Sequence, residues 1–311
     1  MTPTVAPTVA VIINPIAGTG GRLDIARDRA EQAAALLAER GRSGRVLVTE
    51  RAGHARELTL AMLAHGATTV VAWGGDGTVN EVAAALAFRD ATLAVVPSGS
   101  GNGLARELQI PFEPERAFAV ALEGRMCRVD AGELDGRLFF NVAGIGLDAR
   151  VAHGFAAGGR PKRGFTRYLR VGARELLAFR ADDHTVVTDG TTRRVRPLLI
   201  AIANGRQYGN GAVIAPAARL DDGKLDVVIV AARSRLAALA HVPHLFTGQI
   251  ARVGGVTSEP AVDINVASAQ ALQYHVDGEP FVGGVSLAAR ARAGALRVAV
   301  PADARLDLTS E

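Results

Sequence analysis

Over its first third the chain alternates short apolar runs with long Ala- and Leu-rich stretches, the spacing of repeated strand–helix units on a parallel sheet. TVAVIIN (8–14), GRVLVTE (44–50), TTVVAW (68–73) and ATLAVVP (91–97) read as strands, with helices over 22–40, 53–65 and 78–88 between them. Beyond Pro111 and Pro114 a short helix closes near Gly124, and the pattern changes. From about Arg128 extended runs dominate. LDGR (134–137) and TDGT (188–191) each set Asp-Gly between two such runs, a strong local hairpin signal, and further strands are expected around 195–203, 224–231 and 261–276. The pattern therefore predicts an α/β domain before a boundary near residue 128 and a mostly antiparallel β domain after it.

Composition narrows the picture without naming a chemistry. The 311 residues suffice for two ordinary domains, and Cys127, the one cysteine, rules out an internal disulfide and shows no context of a nucleophile. The apolar run near the N-terminus has no basic stretch ahead of it and leads straight into a strand, so no signal peptide is expected. No uncharged apolar stretch reaches the ~18 residues of a membrane span. A cytoplasmic protein with at most peripheral membrane contact is expected. A net charge of +4, from 35 Lys and Arg against 31 Asp and Glu, is too mild for a dedicated nucleic-acid binder. It leaves phosphate ligands or an anionic surface as partners.

One stretch raises a sharper question. In VVAWGGDGTVNEV (70–82), Gly74, Gly75 and Gly77 follow a strand and precede a helix, the setting in which backbone N–H groups hold anions, yet Asp76 sits among them. Thr78 and Glu81 have the spacing of a capping box, which would fix the helix start. The plain reading is a tight turn with Asp76 exposed. The chemical reading is that Asp76 holds Mg²⁺, which takes one or two carboxylates together with substrate phosphates and waters. Two more Gly-rich turns, NPIAGTGGR (14–22) and PSGSGNGLAREL (97–108), follow strands of the same domain and would line the carboxyl edge of the sheet. Neither a G-x-x-x-x-G-K-[ST] loop nor a G-x-G-x-x-G fingerprint after the first strand is present.

Read in order, NPIAG (14–18), TERAGHA (49–55), GGDGTVNEV (74–82), PSGSGNGLAREL (97–108), NVAGIGLDARV (141–151), RLDDGKLDVVIV (219–230) and HVDGEP (275–280) resemble the diacylglycerol kinase catalytic-domain family, which includes soluble bacterial lipid kinases and the sphingosine and ceramide kinases. The resemblance implies a Rossmann-like parallel sheet of the NAD kinase and diacylglycerol kinase type over 1–128, with residues 301–311 returning to it, and a β-sandwich over 129–300. It implies ATP-dependent phosphorylation of a lipid hydroxyl. ATP would be held between the domains by Asn14, Pro15, Ile16, Ala17, Gly18, Thr49, Gly74, Gly75, Asp76, Gly77, Thr78, Val79, Asn80 and Ser100, with Arg22 and Arg106 adding positive charge. A structural Mg²⁺ would be held by the Asp222 side chain with main-chain oxygens of Arg219 and Lys224; without the resemblance, the residues read first as an ordinary acidic turn ahead of the strand that starts near Lys224. The base maps onto Asp277 or Glu279, with Glu279 favoured and Asp277 in a network coupling it to Asp76. Asp148 would lie near the acceptor hydroxyl, or else cap the segment after it. Where many bacterial members read Gly-Thr-x-Asn-Asp, this chain has Gly99-Ser100-Gly101-Asn102-Gly103, without the second acid, which bears on the acceptor lipid.

A lipid substrate requires approach to a membrane surface. In 160–179, Arg163, Arg167, Arg170 and Arg174 recur at helical spacing, with Phe165, Tyr168, Leu169 and Leu176 largely on other faces. That pattern suits an interfacial helix, or a charged outer face whose apolar side packs on the second domain. His241 and His244 lack a third metal ligand, Trp73 is expected in the core, and a homodimer is one expected assembly. The alternatives are an NAD kinase-like small-molecule kinase and a non-catalytic nucleotide- or lipid-binding regulator; the pair Asp277 and Glu279 argues against the regulator.

Overall fold

The computed structural model describes residues 8–18, 23–157, 165–232 and 242–304. The chain divides into two compact units, one ending at Val129 and taking up the chain again from Gly294, the other spanning Asp130–Ala293.

Unit 1 runs β1 (Thr8–Ile13), α1 (Leu23–Glu39), β2 (Gly44–Val48), α2 (His54–Ala64), β3 (Ala67–Gly74), α3 (Asp76–Leu86), β4 (Thr92–Pro97), α4 (Gly103–Glu107) and α5 (Pro114–Glu123). Its strands are parallel in the order β2-β1-β3-β4, and residues 294–300 add another parallel strand, with Arg297 opposite Thr92 and Val298 opposite Leu93. Strands buried on both faces need apolar residues at successive positions, which is why VAVII, VVAW and TLAVVP read as unbroken runs. Trp73 lies in this core, edge-on to Phe118 with ring centroids 5.6 Å apart. The strand order reverses between β1 and β3, the point at which doubly wound sheets bind ligands.

Unit 2 is an antiparallel sandwich. Its elements are β5 (Arg125–Leu134, from Asp130 on), β6 (Arg137–Phe139), β7 (Val142–Gly146), α6 (Leu147–Ala157), α7 (Phe165–Ala178), β8 (His184–Thr188), β9 (Thr191–Val195), β10 (Pro197–Ala203), β11 (Leu225–Ala231), β12 (Val256–Ala261), β13 (Asp263–Ser268), β14 (Gln273–Val276), β15 (Glu279–Val282) and the first part of β16 (Ser286–Val300). One sheet has the order β12-β11-β10-β7-β14-β15; the other pairs β9, β8, β13 and β16. Alternation sorts side chains between two cores. Ile200 and Ile202 of β10 join Val227 and Ile229 of β11 in the core shared with Val186, Ile264 and Leu287, while Ala201, Ala203 and Val228 face Ile214, Ala215 and Ile250 on the other side.

Both Asp-Gly signals form two-residue hairpins, closing Leu134 to Arg137 and Thr188 to Thr191. A third closes Val276 to Glu279. In each, both turn residues have positive φ (Asp135 51°, Gly136 75°; Asp189 45°, Gly190 86°; Asp277 47°, Gly278 86°), as a type I′ turn requires.

The expected capping box does not form. The α3 helix begins at Asp76, with Gly75 as its N-cap and no side-chain cap. Thr78 Oγ1 instead accepts from Asn14 Nδ2 at 2.8 Å, and Glu81 accepts from Gly53 N at 2.8 Å and Ala55 N at 3.0 Å, capping α2 from outside. The α2 N-cap is a left-handed glycine with no side chain to offer, so its N–H groups draw Glu81 away from its own helix. Glu81→Ala should therefore cost about 1–2 kcal/mol, the range of a lost cap, read as a lower urea midpoint at unchanged slope, and Glu81→Gln should cost less.

Candidate functional site

The Gly-rich turns after β1, β3 and β4 meet in unit 1. Ser98 N donates to Gly74 O at 2.8 Å, Asn14 N to Trp73 O at 2.9 Å, and Thr49 N, after β2, to Ile13 O at 2.9 Å. Gly18 and Gly75 are packed so closely on the backbone of Ser98 and Gly99 that a Cβ at either would press on it; at Gly75 it would lie 3.2 Å from Gly99 Cα. The residues expected at the nucleotide are thereby brought together. Ile16, Gly18, Gly77 and Ser100 are exposed; Asn14, Pro15, Gly75, Asp76 and Asn80 are half-buried; Ala17, Thr49, Gly74, Thr78 and Val79 are buried.

Asp76 crosses from one loop to the next. Its Oδ2 accepts from Asn102 N at 2.9 Å and its Oδ1 from Gly103 N at 2.7 Å. Asn102, in the left-handed region at φ 50°, locks the same loop by accepting from Gly99 N and donating to Gly99 O. The acid among the glycines thus answers first to backbone: it satisfies peptide N–H groups of the neighbouring loop.

Arg29, which sequence reasoning missed, clamps the first loop. Its guanidinium donates from α1 to Asn14 O and Ala17 O, both at 3.0 Å, and sits 6.0 Å from the centre of the Trp73 ring. Burial pulls its pKa below the usual arginine value. Nothing local marked it, since α1 also carries Arg27, which pairs with Glu31 on the exposed side. Arg106 donates to Gly101 O at 3.0 Å and stacks on Phe112, so its charge is tied to the third loop; Arg22 lies outside the described residues.

In unit 2 the two acids of the Asp-Gly-Glu turn separate. Asp277 accepts from Phe140 N at 2.9 Å, Asn141 N at 3.0 Å and Val142 N at 3.1 Å, whereas Glu279, the first residue of β15, is exposed. The segment Asp277 grips is held from its other side by Asn204, whose Nδ2 donates to Asp130 O and Phe140 O and whose N–H donates to Asn141 O. Asp148 is enclosed at the start of α6, accepting from Ala149 N at 2.8 Å and the Tyr208 hydroxyl at 3.0 Å, with His275 Nε2 at 3.4 Å.

Residues 8–134 match the diacylglycerol kinase catalytic domain, and residues 141–300 match the YegS C-terminal NAD kinase beta sandwich-like domain. The chain belongs to the diacylglycerol kinase family. A Pseudomonas aeruginosa protein named "Probable lipid kinase YegS-like" is 35% identical over 288 residues, 89% of this chain and 91% of its own length. One of the same name from Pseudomonas savastanoi pv. phaseolicola is 34% identical over 260 residues, 83% of this chain and 84% of its own. A crystal structure described as a diacylglycerol kinase from Bacillus anthracis str. Sterne shares the fold, with a TM-score of 0.70 at 20% identity over 94% of this chain and 96% of that one.

As a member of the diacylglycerol kinase family the chain is a kinase, and the family uses ATP. In this kinase the RLDDG turn leaves Asp222 exposed, its Oδ1 accepting from Lys224 N at 3.0 Å, while Gly223 N donates to Asp130 Oδ2 at 2.6 Å. Behind it Asp226 is buried, and burial, together with the charge of Asp222, raises its pKa above the usual aspartate value. His241 lies outside the described residues, and among the described residues no group of three or more His, Cys, Asp or Glu is placed to hold a metal. Of the arginine helix, Arg163 and the side chains of Phe165, Arg167, Tyr168 and Leu169 lie outside the described residues. Arg170, Ala173, Arg174 and Leu177 form an exposed stripe, while Glu175 pairs with Arg150 of α6 at 3.2 Å and Leu176 is buried. No helix among the described residues is long and apolar enough to cross a membrane.

The clamp on the first loop can be tested directly. A lysine presents a point charge that cannot reproduce the two-carbonyl fork of Arg29. With a charged hydrogen bond worth ~1.5–3 kcal/mol, Arg29→Lys should raise KM for ATP about ten-fold while moving kcat less, measured by steady-state kinetics.

Proposed function

We propose that this kinase transfers the γ-phosphoryl group of ATP to a hydroxyl of a lipid, diacylglycerol or a related glycerolipid or sphingoid lipid. The observation that carries the reading is the convergence of three glycine turns around the start of α3, which has no side-chain cap. Peptide N–H groups at a helix start favour phosphate, and glycine lets the phosphate come close. Phosphoryl transfer depends on such positioning and on neutralising spreading charge, with little covalent help from protein. The nucleotide contacts are those of residues 14–18, Thr49, 74–80 and Ser100, with Val79 acting through packing, since it is buried and its N–H donates to Gly75 O. The lipid class is supported by the names of the Pseudomonas relatives.

Mg²⁺ fits the donor chemistry at Asp76, because each carboxylate oxygen accepts one N–H and keeps a further lone pair. Bound there, it would supply neutralisation of phosphate charge. A second, structural Mg²⁺ fits the exposed Asp222 carboxylate with main-chain oxygens of Arg219 and Lys224, an all-oxygen donor set of the kind this ion takes. Glu279 is the proton acceptor for the attacking hydroxyl; Asp277, with three N–H donors on its two oxygens, anchors the turn instead. The exposed stripe of α7, two arginines and Leu177, is the surface offered to an anionic membrane.

Labelled ATP presented with a panel of lipids in mixed micelles should give a labelled lipid, and NAD⁺ should give no NADP⁺; the reverse outcome overturns the reading. Asp76→Asn should lower kcat by about 10³-fold with the fold retained, and Glu279→Gln by about 10²–10⁴-fold at unchanged KM for ATP. Near a charged surface each arginine is worth ~1 kcal/mol, so reversing Arg170 and Arg174 to Glu together should weaken sedimentation with anionic vesicles about ten-fold or more. Unchanged sedimentation would remove the interfacial role.

A further inference from the structure

Unit 2 holds a buried polar cluster beside the Asp-Gly-Glu turn that proton acceptance by Glu279 does not use. The His275 and Asp148 side chains are 4% and 8% exposed, with His275 Nε2 3.4 Å from Asp148 Oδ2. The same oxygen takes the Tyr208 hydroxyl at 3.0 Å, and the other takes Ala149 N at 2.8 Å. On the far side of the ring, Nδ1 takes the N–H of Gly278 at 3.3 Å. A ring nitrogen that accepts carries no hydrogen, so the imidazole proton resides on Nε2 and faces Asp148. The backbone makes room for this: a Cβ at Gly144 of β7 would collide with the Asp148 carboxylate and with His275 Nε2. Asp148 therefore spends its oxygens on donors of its own unit, drawn from α6, β14 and the loop after β10.

We propose that His275 is a positioning residue that couples Asp148 and Tyr208 to the hairpin turn presenting Glu279. The coupling rests on the reading of Glu279 as proton acceptor. Asp277 ties one end of that turn to residues 140–142, and His275 ties its middle through the Gly278 N–H. Asp148 fixes the tautomer that leaves Nδ1 able to accept. On this assignment Asp148 serves the reaction by holding the ring, and the acceptor lipid is held by other groups.

The test uses the full chain. His275→Leu fills the site and removes both the Nδ1 hydrogen bond and the Nε2 contact with Asp148; His275→Asn keeps an acceptor near the Nδ1 position. His275→Leu should lower kcat about ten-fold or more with KM for ATP within about two-fold, His275→Asn should recover part of the loss, and Asp148→Asn added to His275→Leu should cost little more. Wild-type kcat in His275→Leu, or equal loss in the Leu and Asn variants that tracks a falling Tm, overturns the proposal. Two readouts stand apart from turnover. ¹⁵N-histidine NMR of the wild-type protein should show His275 as the Nε2–H tautomer, and the Gly278 amide should exchange faster with solvent in His275→Leu than in the wild-type protein. An Nδ1–H tautomer, or an unchanged Gly278 exchange rate in His275→Leu, overturns the coupling even if the wild-type protein phosphorylates no lipid, a result that would fall on the lipid reading alone.

Discussion

A peptide N–H turned away from water must find an acceptor, because leaving it unpaired costs ~1–3 kcal/mol. In each unit that acceptor is an aspartate from a distant part of the chain. Asp76 takes the N–H groups of Asn102 and Gly103, and Asp277 takes those of Phe140, Asn141 and Val142. The groups so held lie in loops and at the first residue of the element that follows, Gly103 of α4 and Val142 of β7, where the helix or ladder is only beginning. Replacing water by a fixed carboxylate gives such a loop one conformation, and a loop with one conformation can present its remaining groups to a ligand without an ordering cost at binding.

This constraint resolves the oddity of an acid among glycines. A turn rich in glycine has little side-chain packing of its own to hold it. The contact between the loops is backbone on backbone: a Cβ at Gly99 would fall 2.6 Å from Gly75 Cα, and one at Gly75 would press on Gly99 Cα at 3.2 Å. The carboxylate of Asp76 and the side chains of Asn14, Asn102 and Arg29 supply the cross-links that such a contact lacks. The negative charge is directed at N–H dipoles of the third loop, and those dipoles offset it.

What was legible in the sequence follows from the range of each interaction. Strands buried on both faces announce themselves as apolar runs, and Asp-Gly turns depend on two residues, so unit 1's sheet and two hairpins of unit 2 could be read locally. Residues 294–300 were harder, because what makes them a strand of unit 1 is β4, about two hundred positions earlier in the chain. Their burial is nearly continuous, whereas 286–291 alternate exposed and buried, so one strand carries two patterns within fifteen residues. Glu81 misled for a similar reason: a local capping rule competed with two orphan N–H groups on another helix, and the tertiary contact won. His275 stands within a motif that gives no sign of its contacts, since its partners come from α6, the loop after β10 and the turn beyond it.

The Asp-Gly turns show how one short motif can acquire different duties. In all three the aspartate accepts hydrogen bonds from outside the turn: Asp135 from the Tyr274 hydroxyl, Asp189 from Val262 N and Asp263 N, and Asp277 from residues 140–142. The left-handed conformation that the turn demands aims this first side chain back at the molecule, while the residue after glycine starts the next strand. In two hairpins that residue is Arg137 or Thr191; in the third it is Glu279, an exposed carboxylate at the mouth of a turn fixed by Asp277 and by His275. Two acids on either side of one glycine are therefore not equivalent. The type I′ turn turns the first back onto the chain and leaves the second at the start of the next strand, so the different surroundings of Asp277 and Glu279 are a property of the turn itself.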